Sequence, residues 1–319
     1  MKYFSAQSDL GITSHSQIPF VDVPLDNDVP LYLDPDLISA DTSPVGVQAA
    51  RSINTFFNKL FDACREKNYP LVWQLLSYAR EPNETHLGLS QGLSRGKGST
   101  PKLLFPFFKR MIDMGYFDDG LIILPSDIML WTPNFERDRM SDLLVNVIRQ
   151  DLFMFTLQQF AHYGLPIPTA EDRPYRGYYW DADQCRWNLA SAWPALTVKE
   201  FPVLLVPKSF VCRCPLASPR RYLQKHILRY RQERHLDDQS PLCPTKQDKE
   251  GNIIFLKPPK KLIRATEIGP SNYKDYIHRH TLENPKLLSD FHNENLHSVH
   301  RLTDDELDYI VYVLSRKAG

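Results

Sequence analysis

The stretch FERDRMSDLLVNVIRQDLFMFTLQQFAHYG, Phe135 to Gly164, carries the longest helical pattern in the chain and sets the reading of the fold. At roughly 100° per residue, Asp138, Asp142, Asn146 and Arg149 fall within an arc of about 80°, opposite Met140, Leu144, Val147 and Ile148. The first half is therefore amphipathic. In the second half Asp151, Gln158 and His162 lie on the side that was apolar, and Phe153, Leu157 and Phe160 take the side that was polar. A helix from Glu136 to Tyr163, closed by Gly164 and Pro166, must change its packing partner midway.

Upstream, apolar residues recur at helical spacing from Val45 to Lys67, and Tyr69 to Arg80 continues the pattern after Pro70. Thr100-Pro101 pairs a capping residue with proline at the first helical position, which opens a helix through KLLFPFFKRMIDM as far as Gly115. The short apolar runs Ile18–Val23 and Val29–Leu33, separated by the turn-forming LDND, read as a hairpin, and Leu121–Trp131 reads as a strand. Downstream, Tyr175–Asp181 and Phe201–Val211 read as strands, and Ser218-Pro219 caps a basic helix reaching about His235. Residues 236–250 form a polar linker, and NIIFL with KKLIRA suggests a hairpin around Pro258-Pro259. Two helices close the chain, the last opened by the capping-box pattern of Thr303 and Glu306. Helices and strands are interspersed, so the fold class is α/β or α+β mixed, with a mixed sheet and several long helices. Two regions are expected: 1–166, acidic with a glycine-rich loop and the long helix, and 167–319, basic and aromatic-rich α+β, with the exposed linker near 236–250.

The composition, 42% hydrophobic and 24% charged over 319 residues, is that of a chain able to bury a core. Lys plus Arg equals Asp plus Glu at 38 each, which removes any global attraction to nucleic acid and leaves only local basic surface. The charge is nevertheless ordered: residues 1–45 hold seven aspartates against Lys2, and residues 207–234 hold eight bases against Glu233. The opening MKYFSAQSDLGITSHS lacks the apolar run of a signal peptide, and no stretch reaches the roughly 18 apolar residues of a membrane span. A soluble cytoplasmic protein with no membrane partner is the expectation. Five scattered cysteines argue for reduced thiols; Cys212-x-Cys214 lacks the second pair a structural zinc site needs.

Two acids one turn apart with a nearby Asn suit a divalent cation, so Asp138 and Asp142 are the first candidates for metal ligands and catalysis, with Asp34 and Asp36 next. The cation expected is Mg²⁺ or Mn²⁺, and Lys208, on a separate strand, is the candidate to steady an attacking water. The same residues also read as a solvated helix face, dipole-answering acids and turn-forming aspartates. Asp151 and His162 share a stripe and read either as an acid/base pair or as interior polar groups.

Two segments suit phosphate. Gly88, Gly92, Gly96 and Gly98 lie beside Arg95, Lys97 and Lys102 ahead of a helix, although neither a Walker A nor a GxGxxG frame is present. The candidates there are Arg95, Gly96, Lys97 and Gly98, against the alternative of a surface loop. On the basic helix, Arg221, Lys225 and Arg229 at i, i+4 and i+8 form a ridge with Tyr222 and Tyr230 interleaved, suited to a phosphate backbone with bases stacking on the rings; the alternative is a solvated face. His278, His280, His292, His297 and His300 fix no shared helix face and read as polar surface.

The succession D-V-P-L-x-x-D-x-P-L-Y-L-D-P, E-T-H-L-G-L-S with its glycine loop, D-R-M-S-D and V-L-L-V-P-K resembles a group of uncharacterised bacterial proteins similar to accessory proteins of phage-defence or mobile loci. The resemblance implies an antiviral-defence context and assigns no residue a role. Taken with the acids and the basic ridge, the expected function is an intracellular defence-type effector acting on nucleic acid as a metal-dependent phosphodiesterase. The alternative is a non-catalytic sensor or adaptor that binds nucleic acid or a partner ATPase or nuclease. A third reading is a nucleotide-binding enzyme.

Overall fold

The computed structural model describes residues 10–80, 82–88, 101–135, 137–175, 177–270, 273–297 and 299–314. The architecture is α+β: helices dominate, and the strands pair in two-stranded antiparallel ladders. The mixed sheet expected from the sequence is represented among the described residues by these four separate ladders. A β-bridge between Val29 and Leu87 supplies a single parallel pairing. The chain divides into two compact units, and the division falls at residues 216–217 and 298–299 rather than at 166. The first unit holds residues 1–125, 135–216 and 299–319; the second holds 126–134 and 217–298.

In the first unit the helix Pro44–Arg65 begins where Ser43 accepts from Gly46 N–H and ends on Arg65. It buries Ala49, Ile53, Phe56, Phe57, Leu60, Phe61 and Cys64, the i, i+3, i+4 stripe that periodicity requires. Phe56 packs edge-on against Trp180 and Trp187 of the ladder Tyr178–Asp181 with Arg186–Leu189, which fixes that hairpin on the helix. The long helical stretch is two helices, Arg137–Val147 and Arg149–Tyr163, meeting at Ile148 with φ −91° and ψ 18°. The break falls where the apolar face changes sides. Beyond it, Phe153, Phe155 and Phe160 enter a core with Ile18, Phe20, Leu25, Val203, Leu204 and Leu205.

The runs around Phe20 and Tyr32 do not pair with each other as a hairpin. Both pair with the segment after residue 205: Val21 N–H donates to Val206 O, and Tyr32–Leu33 pairs antiparallel with Val211–Cys212. Polar contacts, buried or partly buried, tie the chain's early segment and Lys208 to the helical segment that starts at Asp304. His15 Nδ1 lies 2.5 Å from Asp308 Oδ1, Tyr312 Oη donates to Asp22 at 3.0 Å, and Lys208 Nζ donates to Asp304 at 2.6 Å. That helix opens on the expected capping box, Thr303 with Glu306.

The second unit takes in residues 126–131, the end of the segment read from sequence as strand. Among Leu121–Trp131, residues Asp127–Trp131 are helical, because a short apolar run carries no period that separates strand from buried helix. Lys274 Nζ holds this turn by donating to the carbonyls of Met129 and Thr132 at 2.8 and 2.6 Å, and His292 Nε2 meets Asp127 at 2.7 Å. His280 is buried and His292 is engaged, so these two histidines are interior groups rather than the polar surface expected. The basic helix runs Pro219–Tyr222, a π turn Leu223–Ile227, then Leu228–Asp237. The hairpin of this unit is Thr245–Gln247 with Ile253–Phe255, and KKLI is the start of the helix Lys260–Ile263 instead of a strand. No helix among the described residues is long and apolar enough to cross a membrane.

Candidate functional site

Local pairing brings two acidic segments of the first unit together. Val29 N–H donates to His86 O at 2.9 Å and Gly88 N–H to Val29 O at 2.8 Å, which places Asp28 next to Gly88. The first turns of the helix Arg137–Val147 bring Asp138 and Asp142 to the same point. Asp28, Asn83, Gly88, Asp138 and Asp142 line a cavity of about 30 Å³, room for one water-sized occupant. Gly88 has φ +131°, a backbone conformation that L side chains rarely adopt, and a Cβ there would lie in ordinary contact with Asp138 Oδ1 at 3.4 Å and Asp28 Oδ2 at 3.8 Å, so glycine is required by the turn and not by lack of space. Asp28, from the acidic opening segment, and Asp138 with Asp142, from the helix, thus line one cavity.

Asp34 and Asp36 do not line this cavity. Asp34 is buried and caps the helix Pro35–Ser39: its carboxylate accepts from the N–H groups of Asp36, Leu37 and Leu216 at 2.8, 3.3 and 2.7 Å. Cys212 Sγ also donates to it at 3.7 Å, so this carboxylate, expected as a metal ligand, is engaged in capping and packing. Asp36 sits in the first turn of that helix. Lys208 is also reassigned, since its ammonium is held by Asp304 and by His15 O at 2.8 Å and is absent from the cavity wall. Among the described residues no group of three or more His, Cys, Asp or Glu side chains is placed to hold a metal ion. Arg95, Gly96, Lys97 and Gly98 lie outside the described residues. His162 is exposed with its ring against Tyr163, and Asp151 is not its partner; burial, opposed by a hydrogen bond from Ser52, raises the Asp151 carboxyl to about 6.

Next to the acidic cavity, Asn146 and Arg149 of the polar helix face join Arg80, Glu84 and Tyr175, which the sequence did not single out, in a buried ionic network. Arg149 is fully buried and Glu84 nearly so. Arg149 Nη1 donates to Glu84 Oε1 and, at 2.5 Å, to Tyr175 Oη, while Arg149 Nη2 donates to Asn146 Oδ1 at 2.9 Å. Arg80 Nη2 donates to the same Glu84 oxygen at 2.9 Å and to Tyr175 Oη at 2.5 Å, and Tyr175 donates on to Glu84 at 3.2 Å. Asn146 Nδ2 donates to the carbonyls of Arg80 and Asp142 at 2.6 and 2.7 Å, which joins the network to the acid-bearing helix. Burial alone would raise the Glu84 carboxyl; the guanidinium groups of Arg149 and Arg80 outweigh it and hold the acid below the usual carboxylate range. One sequence signal pointed here: Arg149 shares the polar helix face with Asp138, Asp142 and Asn146.

The second unit carries fifteen Lys and Arg against eleven Asp and Glu, the first unit 23 against 27. The ridge expected on its basic helix is partly neutralised. Arg221, Lys225 and His226 all reach Glu294, at 3.4, 2.5 and 3.0 Å, and this contact, led by the Lys225 hydrogen bond, holds the Glu294 carboxyl at about 2. Tyr222 is buried against Thr281 and is unavailable for stacking, which corrects the interleaved-aromatic reading. Beyond Lys225 an open groove of about 510 Å³ is lined by Arg229, Lys257 and Lys260 together with Gln232, Glu233 and Glu294. Lys257 pairs with Glu233. Lys260 Nζ donates to Gln224 O at 2.5 Å, and burial together with the like charge of Arg229 pushes its ammonium below the usual lysine range.

A family model, Domain of unknown function (DUF8370), matches residues 11–218, more than half of the chain. The chain belongs to that family. No curated protein and no solved structure matches it.

Proposed function

We propose that this member of the DUF8370 family binds nucleic acid through the basic groove of its second unit and serves as a binding or adaptor subunit. The observation that carries the reading is that Arg229 and Lys260 line the same groove close enough for the Arg229 charge to act on the Lys260 ammonium, whose hydrogen-bond acceptor among the described residues is the backbone carbonyl of Gln224. Like charges crowded at a surface raise the free energy of the folded unit, and a phosphate oxygen between them relieves it. Lys225 and Lys257 stand on the same wall and trade an internal carboxylate for a phosphate when a backbone lies in the groove. The test is anisotropy of labelled single- and double-stranded DNA and RNA across a salt series. Arg229→Ala with Lys260→Ala is expected to lower the log–log salt slope by about 1.4 to 1.8, since each lost phosphate contact removes roughly 0.7 to 0.9. An unchanged slope, or no retention at low salt, refutes the reading.

A second reading, phosphodiester cleavage in the first unit, is favoured by the convergence of Asp28 with Asp138 and Asp142. Incubation of the same four nucleic acids with Mg²⁺, Mn²⁺ or EDTA, beside Asp142→Asn, tests it. Metal-dependent cutting that the substitution abolishes supports cleavage; intact substrate under all conditions excludes it and leaves the binding role alone.

A further inference from the structure

In the second unit three side chains stand in a row that neither the basic groove nor the acidic cavity uses. Ser240 Oγ lies 2.8 Å from His235 Nδ1, and His235 Nε2 lies 2.7 Å from Glu267 Oε1. Local structure builds the first half of the row. The helix Leu228–Asp237 ends, Gln239 turns the chain with a left-handed φ of +47°, and Ser240 N–H returns to His235 O at 3.0 Å, which sets the serine beside the ring five residues back. The second half is tertiary: Glu267 belongs to the π turn Arg264–Ile268 and is fixed by two bonds from Arg231, 3.0 and 2.8 Å, and by Tyr276 Oη. His235 is buried and Ser240 half-buried, so the ring is shielded from water while the serine reaches the surface.

The carboxylate decides where the ring carries its proton. Against burial, which would raise it, Arg231, Tyr276 and His235 hold the Glu267 carboxyl at about 2. An ionised carboxylate only accepts, so Nε2 bears the hydrogen; in the neutral imidazole Nδ1 then offers its lone pair, and the Ser240 hydroxyl donates to it. Ser240 Oγ also accepts from Leu242 N–H at 3.3 Å, which leaves one lone pair to attack. A helix end needs the backbone bond alone; hydroxyl, imidazole and carboxylate in succession are the arrangement that activates a nucleophile. We propose that Ser240 is a nucleophile that takes an acyl group from an activated ester, with His235 as its general base and Glu267 as the residue that positions the base. The Oγ–C bond forms as the hydroxyl proton passes to Nδ1. The leaving oxygen then takes that proton as its own bond to the acyl carbon breaks, and the acyl group remains on Ser240. The neighbouring amides set the donor class. Ser240 N–H is engaged with His235 O, Leu242 N–H with Oγ, and Pro241 has none, so these positions supply no oxyanion donor and the reaction is confined to weakly basic leaving groups such as phenolates. The inference is independent of nucleic-acid binding, since none of the three residues lines the basic groove.

The test treats the full chain with p-nitrophenyl acetate and follows acetylation of each serine by peptide mass spectrometry, which also separates Ser240 from Cys243, whose sulfur lies 4.0 Å from Oγ. Ser289, exposed and with its hydroxyl on the Lys286 carbonyl, is the internal reference for an ordinary serine. Ser240 is expected to acetylate at least about a hundredfold faster than Ser289, the lower end of what a positioned base contributes. His235→Gln is expected to bring Ser240 down to the Ser289 rate in a chain that still melts cooperatively. Nitrogen NMR of the His235 ring adds a measurement that needs no change at the base. A protonated Nε2 with a bare Nδ1 is expected in the unaltered chain, and Glu267→Gln, whose amide can donate to Nε2, is expected to populate the other tautomer. The proposal is overturned by a Ser240 rate below the hundredfold margin, by label on Cys243 in place of Ser240, by a preference that survives in folded His235→Gln, or by a neutral His235 ring protonated at Nδ1 in the unaltered chain.

Discussion

Replacing Glu84 with Gln isolates the energetic consequence of the buried network. Glu84 is the carboxylate that both arginines reach, and its side chain is 10% exposed while that of Arg149 is fully enclosed. The amide keeps the volume and an acceptor oxygen but removes the countercharge, leaving the Arg149 guanidinium buried without compensation, an outcome that costs about 3 to 5 kcal/mol. The Arg80 arm adds little, since a pair so open to water contributes under about 1 kcal/mol. For a folding unit of this size each kcal/mol moves the midpoint by about 2 to 4 °C, so Tm is expected to fall by roughly 6 to 20 °C. Urea unfolding followed by circular dichroism measures the free energy directly. Adding Arg149→Met to Glu84→Gln removes the stranded charge, and the double variant is expected to be more stable than Glu84→Gln alone. Acid unfolding supplies an independent check. Because the folded-state carboxyl lies below its unfolded value, its stabilisation is complete above about pH 4.3 and is lost as pH falls through the folded value. The Gln variant lacks that part of the acid limb. A loss below about 1 kcal/mol, or an unaltered acid limb, refutes the argument that the pair is electrostatically coupled.

Three further substitutions test other parts of the structure. Asp151 has its carboxyl raised to about 6 by burial, and among the described residues its Oδ2 has no hydrogen-bond partner. A raised acid favours the folded state below the unfolded value near 3.9 and loses that contribution as pH rises through about 6, so Asp151→Asn is expected to stabilise by about 1 to 3 kcal/mol at pH 8 and by little at pH 4; equal gains at both pH values contradict this. Glu267 receives Arg231 through two bonds, 3.0 and 2.8 Å, together with His235 and Tyr276, and against the opposing effect of burial these hold its carboxyl at about 2. Glu267→Gln is expected to cost about 2 to 4 kcal/mol at pH 7 and less as pH falls below about 4, read from urea midpoints at the two pH values. In the first turn of the helix Pro44–Arg65, a Cβ on Gly46 would meet Asp41 Cβ at 2.6 Å, so Gly46→Ala must displace Asp41 from its 2.7 Å bond with Ser43 N–H; the expected loss is about 1 to 3 kcal/mol, and an unchanged melting temperature refutes it.

The legibility of the fold follows the range of the forces involved. Helix Pro44–Arg65, the helix from Pro101 with its internal Pro106, and the Thr303 capping box were readable because periodicity and caps act within four residues. The break at Ile148 was foreshadowed by the exchange of apolar and polar faces in Phe135–Gly164. Leu121–Trp131 misled because a short apolar run has no decisive period, and the Ile18–Leu33 hairpin because its two runs found partners near residue 210 instead of each other.

At the candidate sites, the sequence by itself determined which charges share a helix face: Asp138 with Asp142, and Lys225 with Arg229. Only the tertiary structure decided what those faces meet. It brought Asp28 to Asp138 and Asp142, set Asp34 to capping, gave Lys208 to Asp304, seated Glu294 on Arg221 and Lys225, and paired Arg149 with Glu84 across 65 residues. The reason is physical: helical spacing is dictated by the local backbone, whereas an ion pair forms wherever burial leaves a charge no cheaper partner, and burial belongs to the whole fold.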